Sequence, residues 1–216
     1  MRTRGGRRAR GRPASTIRRR LVDVAGVAVV SLAARQALLS YLNGHRPIGV
    51  VFFVQQVWVA MAFLWRRPAS IVSRRPMEWI ATYGGTFGGF LLRPVGLHPR
   101  WGLDAGLALQ IVGLVAWGVA FFALGRSFGL VPANRGLVTG GLYGRVRHPL
   151  YTSYMLAQLG YLAQSISWWN GLVISVVWTC QVIRALAEER LLGRSHPLAY
   201  SEYRARVRWR LVPGLW

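Results

Sequence analysis

The chain has no lysine, one cysteine and only six acidic residues in 216. The lone Cys180 excludes an intramolecular disulfide framework and any cysteine-cluster zinc site. Charged residues make up 16%, against about a quarter in ordinary soluble domains, which argues against that class. His45, His98 and His196 are scattered in or near expected loops, so no metal site is expected. What remains is rich in one cation and in apolar bulk: 28 arginines, a formal charge of +22, 53% hydrophobic residues, ten tryptophans and 25 glycines. So apolar a chain is not a disordered basic tail. Apolar blocks parted by arginine clusters read as a membrane protein, and no nucleic acid is expected as a partner. The N-terminal arginine run leads into a long apolar stretch with no convincing cleavage site, so no secretory signal is expected.

A crossing helix needs about 20 mainly apolar residues. Leu21–Leu42, Ile48–Trp65, Trp79–Leu92, Leu103–Leu124, Leu150–Ser167 and Trp168–Leu186 fit or approach this, the last two joined by a tight turn over Ser167–Gly171. The expected fold is all-α, a polytopic membrane bundle of about six helices (five is the alternative) with a C-terminal interfacial segment. Arginine placement agrees. Nine lie before Leu21, four in the 66–76 loop, four in the 126–147 loop and seven from Arg184 onward, against Arg46, Arg93 and Arg100 on the other side. The positive-inside rule then puts both termini in the cytoplasm, with a bacterial inner membrane as the expected location. Residues 1–20 read as an arginine-rich tail attracted to anionic lipids, 21–100 as N-terminal membrane helices and 101–216 as a catalytic core.

The run Gly84-Gly85-Thr86-Phe87-Gly88-Gly89 invites a phosphate-loop reading, but no strand precedes it and the next acidic residue, Asp104, lies beyond a proline-containing loop. Its glycines repeat at i, i+4 and suit close helix packing. Polar residues worth explaining lie later. Pro149 suits the first turn of a helix, and the N–H groups of that turn with His148 make an anion-friendly start. Arg147 alone reads as an interfacial anchor. Arg184 and Glu188 share a helix face and suit a mundane ion pair, yet acidic residues at that depth usually mark a ligand or a proton path. If the last two crossings form a hairpin, His148 and Glu188 meet at its cytoplasmic end. Leu191–Trp216 alternates basic and aromatic residues, as an interfacial anchor or a lid does.

Three pieces, Gly141-Leu142-Tyr143…Arg147-His148-Pro149-Leu150-Tyr151, Arg184…Glu188-Glu189 and Tyr200-Ser201-Glu202-Tyr203, resemble the isoprenylcysteine carboxyl methyltransferase family and its phospholipid-methylating relatives, over roughly residues 100–216. The resemblance implies a membrane-embedded methyltransferase using S-adenosylmethionine on a lipophilic acceptor, a carboxylate of the isoprenylcysteine type or a lipid amine. It implies that Arg135, Gly136, Leu137, Val138 and Tyr143 line the cofactor pocket, that His148, Pro149, Leu150 and Tyr151 contact the cofactor, that Glu188 holds it, and that Arg184 positions the acceptor. Gly193–Leu198 departs from the family, which has an aromatic there. Competing readings are a small-thiol methyltransferase, a sterol-reductase-type enzyme using a nicotinamide cofactor, and a transporter or scaffold.

Overall fold

The structure, a computed structural model, describes scattered positions between 24 and 65, and residues 71–216 except 74, 94, 95, 98, 128, 130–132 and 135. Two compact units are present, Met1–Trp65 and Arg66–Trp216. In the first, every described residue is helical. The arginine-rich tail lies outside the described residues, and the first two expected crossings are described only in part.

The second unit is built from five helices: α1 (Pro76–Phe87), α2 (Arg100–Leu124), α3 (Pro149–Gln164), α4 (Trp168–Ser195) and α5 (Pro197–Arg206). A two-residue antiparallel pair, β1 (Ile71–Val72) with β2 (Ala133–Asn134), is the only departure from helices and turns among the described residues named as elements. Proline opens α1, α3 and α5, where its missing N–H costs nothing and its fixed φ suits the first turn.

Among the described residues, α2 and α4 are long and apolar enough to cross a membrane. Their 25 and 28 residues reach about 37 and 42 Å at 1.5 Å per residue. Leu107, Ile111, Val115, Val119 and Phe122 form an exposed apolar face along α2, as a lipid-facing helix requires. The 16 residues of α3, and α1 with the 3-10 turn Gly88–Leu91 that extends it, are shorter.

Two glycine-lined seams hold these helices together. On α1 a Cβ added at Gly84 would lie 2.9 Å from Cys180 Sγ, and in the 3-10 turn that extends it one at Gly88 would lie 2.6 Å from Val177 Cγ2, both partners being on α4. The run read as a packing face is therefore one, along Gly84 and Gly88; Gly89 faces open space. The second seam joins α2 to α3. A Cβ at Gly113 would lie 2.7 Å from the Ala157 nitrogen, and Gly106 and Gly160 sit against each other's backbone. Gln164 donates to Gln110 across the same seam at 2.9 Å. Small residues let backbones approach where apolar burial alone gives little drive. Gly160→Val, whose new side chain meets Gly106 and the Gln110 backbone, is expected to cost about 1–3 kcal/mol by overpacking. It lowers the melting temperature in detergent, whereas Gly118→Val, with nothing within 4 Å, leaves it nearly unchanged.

At one end of the α3–α4 hairpin the chain turns over Ser165–Ser167, two residues earlier than expected. The reason is a helix cap: Ser167 Oγ accepts from the Asn170 N–H at 3.2 Å, so Trp168–Gly171 is already the first turn of α4. Asn170, fully buried, donates to the carbonyls of Ser165 and Arg93 and accepts from the Arg93 N–H. This ties the segment after α1 to the hairpin. At the other end α4 runs nine residues past the expected exit at Leu186, which leaves Arg184–Arg190 inside a continuous helix.

Candidate active site

The segment 146–148, the first turn of α3 and the second half of α4 converge at the hairpin's open end. The residues after α5 complete the site. They run alongside the 146–148 segment, with Val146 bridged in parallel to Trp209. Arg147 and His148 donate their N–H groups to the carbonyls of Trp209 (2.8 Å) and Arg210 (2.9 Å), and Thr152 Oγ1 donates to the Leu211 carbonyl at 2.6 Å. Of the stretch Leu191–Trp216 expected as an anchor or a lid, Leu191–Ser195 end α4, Pro197–Arg206 form α5, and the residues after it are a hydrogen-bonded wall of the site.

Consecutive residues on a helix point about 100° apart, and this separates the two adjacent glutamates. Glu189, 8% exposed, turns toward the wall and is contacted by two guanidinium groups and an imidazole. Arg147 Nη1 lies 3.0 Å from Oε1, Arg210 Nε 3.2 Å from Oε2, and His148 Nε2 3.3 Å from Oε1. Arg147, expected as an interfacial anchor, is 8% exposed and also donates to the Arg208 carbonyl at 3.1 Å. The correction has a simple cause: a buried carboxylate needs paired charge, and the arginine beside His148 supplies it.

Glu188 faces the other way. Its Oε1 accepts from the Tyr151 hydroxyl at 2.6 Å, and its Oε2 lies 3.7 Å from His148 Nδ1. Its side chain keeps 28% of its exposure, so this carboxylate is oriented and still open to a ligand. The His148 ring lies nearly parallel to that of Tyr151 at 5.7 Å between centroids. The Arg184 guanidinium sits 5.1 Å above the Tyr151 ring, within cation–π range, and Arg184 Nη1 donates to Thr86 Oγ1 of α1 at 3.3 Å. Tyr143 is buried beside Glu188, and both burial and that carboxylate raise its hydroxyl well above the ordinary phenol range, so it stays neutral and able to donate.

His148, Tyr151, Arg184 and Glu188 therefore share one cluster, with Tyr143 at its edge. The hairpin expectation holds in this respect, since imidazole and carboxylate meet. Pro149 is buried and Leu150 half-buried in the first turn of α3. That turn offers fewer N–H groups for an anion than expected. Pro149 has none, and those of Tyr151 and Thr152 both go to the His148 carbonyl at 3.1 Å, which leaves anion binding chiefly to side chains. Leu137 packs against Tyr200, Tyr203 and Val207, while Val138 is half-buried and Gly136 exposed with φ 107°. Arg135 lies outside the described residues. Tyr203 donates to the Tyr143 carbonyl at 2.7 Å, which links α5 to the same corner.

Sequence reasoning missed Thr86, Glu189 and Arg210 as parts of this corner. Glu189 carried the one usable signal, as one of six acidic residues beside another; its partners come from distant stretches that no local pattern marks.

With this geometry in view, the comparisons are informative. Residues 103–197 match the model of the phospholipid methyltransferase family. Protein-S-isoprenylcysteine O-methyltransferase A of Arabidopsis thaliana is 31% identical over 115 residues, which cover 50% of this chain and 58% of that protein. The chain thus spans less than two thirds of that relative's length. The family match takes in His148, Tyr151, Arg184, Glu188 and Glu189, so the stretch that carries most of this cluster is similar to phospholipid methyltransferases.

Proposed function

We propose that the protein is an integral-membrane methyltransferase that moves a methyl group from S-adenosylmethionine to a lipophilic acceptor entering from the bilayer. The observation that carries this reading is Glu188: a carboxylate fixed by Tyr151 and His148, partly open, with the Arg184 guanidinium over the Tyr151 ring. This donor set fits the cofactor. Glu188 suits its ammonium by a charge-assisted hydrogen bond, His148 suits its carboxylate, and the aromatic rings of Tyr143 and Tyr151 suit its adenine or its cationic sulfur. Gly136, Leu137 and Val138, with Arg135, form the remaining pocket wall in this reading. When bound, the cofactor supplies an electrophilic methyl on a sulfonium that departs as a neutral thioether.

The chain's own part is to bind, orient and exclude water, and alignment of this kind is worth roughly 7–11 kcal/mol of barrier at best. Arg184 is buried, and its planar fork suits a carboxylate acceptor, which needs no base to become nucleophilic. A lipid amine is the second reading, favoured by the phospholipid methyltransferase match over residues 103–197; it would have to lose a proton first. The fuller topology belongs to the same proposal: six crossings, with both termini and the site on the cytoplasmic side of a bacterial inner membrane, and anionic lipids around the arginine-rich tail.

The test is transfer of labelled methyl from S-adenosylmethionine to a host lipid extract by the purified protein. A base-labile product identifies a carboxyl acceptor and a base-stable one an amine or thiol. A folded sample that neither binds the cofactor nor labels any lipid refutes the proposal. Arg184→Lys keeps the charge and loses the fork, so it is expected to raise the acceptor KM about tenfold or more while leaving cofactor affinity unchanged. Steady-state kinetics with each substrate varied separately check this.

A further inference from the structure

Behind the wall of the candidate site, between the end of α4 and α5, lies a groove of about 770 Å³. This is a size typical of small-molecule sites, and Glu188 is not among the residues that line it. Arg190 and Arg194 project into it from successive turns of α4, Arg204 from α5 and Arg210 from the wall. The one carboxylate among the lining residues is Glu189, already engaged by Arg147, His148 and Arg210. Arg190 is paired with Glu78 of α1 at 2.8 Å, but its side chain keeps 46% of its exposure. Arg194 and Arg204 are exposed and have no ion-pair partner among the described residues.

Tyr200, 6% exposed, lines the groove, while its hydroxyl is enclosed beside the Arg147 guanidinium. Guanidinium groups from three segments around one groove suit a phosphate, whose oxygens accept several bonds at once.

From this geometry we infer that the groove is a binding site for a phosphate group, separate from the methyl-transfer site and in contact with it through Glu189 and Arg210. Phosphate bound there bridges α4, α5 and the wall, and so braces the ion cluster that holds His148. The chemistry is common to an anionic phospholipid headgroup and to a soluble phosphate ester, and the experiment separates these sources.

Protein in neutral detergent is titrated with glycerol 3-phosphate, with short-chain phosphatidylglycerol below its micelle concentration, and with short-chain phosphatidylcholine. Tryptophan fluorescence and melting temperature are followed without cofactor, so the outcome is independent of the proposed methyl transfer. Saturable binding is expected, weakened about tenfold or more in the double variant Arg194→Gln/Arg204→Gln. It is expected to be unchanged in Arg206→Gln/Arg208→Gln, which removes equal charge from exposed positions outside the lining. Comparable binding of glycerol 3-phosphate and phosphatidylglycerol assigns a soluble ester, and binding of the lipid alone assigns a headgroup. No saturable binding by either, or equal weakening in the two double variants, overturns the inference.

Discussion

Glu188→Gln is expected to weaken S-adenosylmethionine binding by roughly 10- to 100-fold, the loss set by a hydrogen bond to a charged group, while the protein still folds and melts as the parent does. The contrast follows from what the residue touches. Glutamine keeps an oxygen that can accept from the Tyr151 hydroxyl, now 2.6 Å from Glu188 Oε1, so the local scaffold survives. What disappears is the negative charge proposed to face the cofactor's ammonium. Isothermal titration of the purified variant reads the affinity, and a thermal melt on the same sample reads the fold. Unchanged affinity would remove Glu188 from the cofactor site and with it the central support for the proposed chemistry. His148→Ala gives a companion measurement, since it removes the ring lying between the two glutamates.

Its neighbour should behave in the opposite way. Glu189→Ala leaves Arg147, His148 and Arg210 gathered around a buried position with their shared counter-charge gone, and removing one partner of a buried ion cluster typically costs about 3–5 kcal/mol. The expected result is a steep fall in melting temperature and early protease cleavage within residues 207–216, whose hydrogen bonds to the 146–148 segment depend on that cluster. Glu189→Gln retains two hydrogen-bond acceptor sites on oxygen and should fall between the two. A Glu189→Ala protein that melts like the parent would mean that main-chain pairing alone secures the wall. Two adjacent carboxylates thus give separable phenotypes, one in binding and one in stability, because a helix turns them onto different neighbours.

Much of this arrangement was legible before any coordinates. The long apolar runs are α2 and α4, the Gly84/Gly88 spacing is a packing face, and the approach of His148 to Glu188 follows once two successive helices fold back on each other. Each of these depends on a periodic or short-range pattern. The roles of Arg147, Glu189 and Arg210 depend on pairing between stretches 21 to 63 positions apart, and an extended wall hydrogen-bonded to a loop leaves no periodic trace in composition. The place of the turn before α4 was hidden for a different reason. The Ser-Trp-Trp-Asn-Gly run has turn-forming residues at both ends, and only the Ser167 side chain, accepting from Asn170, decides between a turn and a first helical turn. The α2–α3 seam was overlooked because its glycines, Gly106 and Gly113 on one helix and Gly160 on the other, never stand together in the chain.

The link between Arg184 and Thr86 reaches outside the stretch that resembles known methyltransferases, since Thr86 belongs to α1 and the family match begins at residue 103. His148, Tyr151 and Glu188 are all inside it. With the proposed roles, the portion that grips the methyl donor and the portion that steadies the acceptor's arginine therefore lie on different lengths of polypeptide. Changes confined to α1 can retune which molecules are modified and leave the donor's grip untouched, a division that lets one chemistry serve new clients.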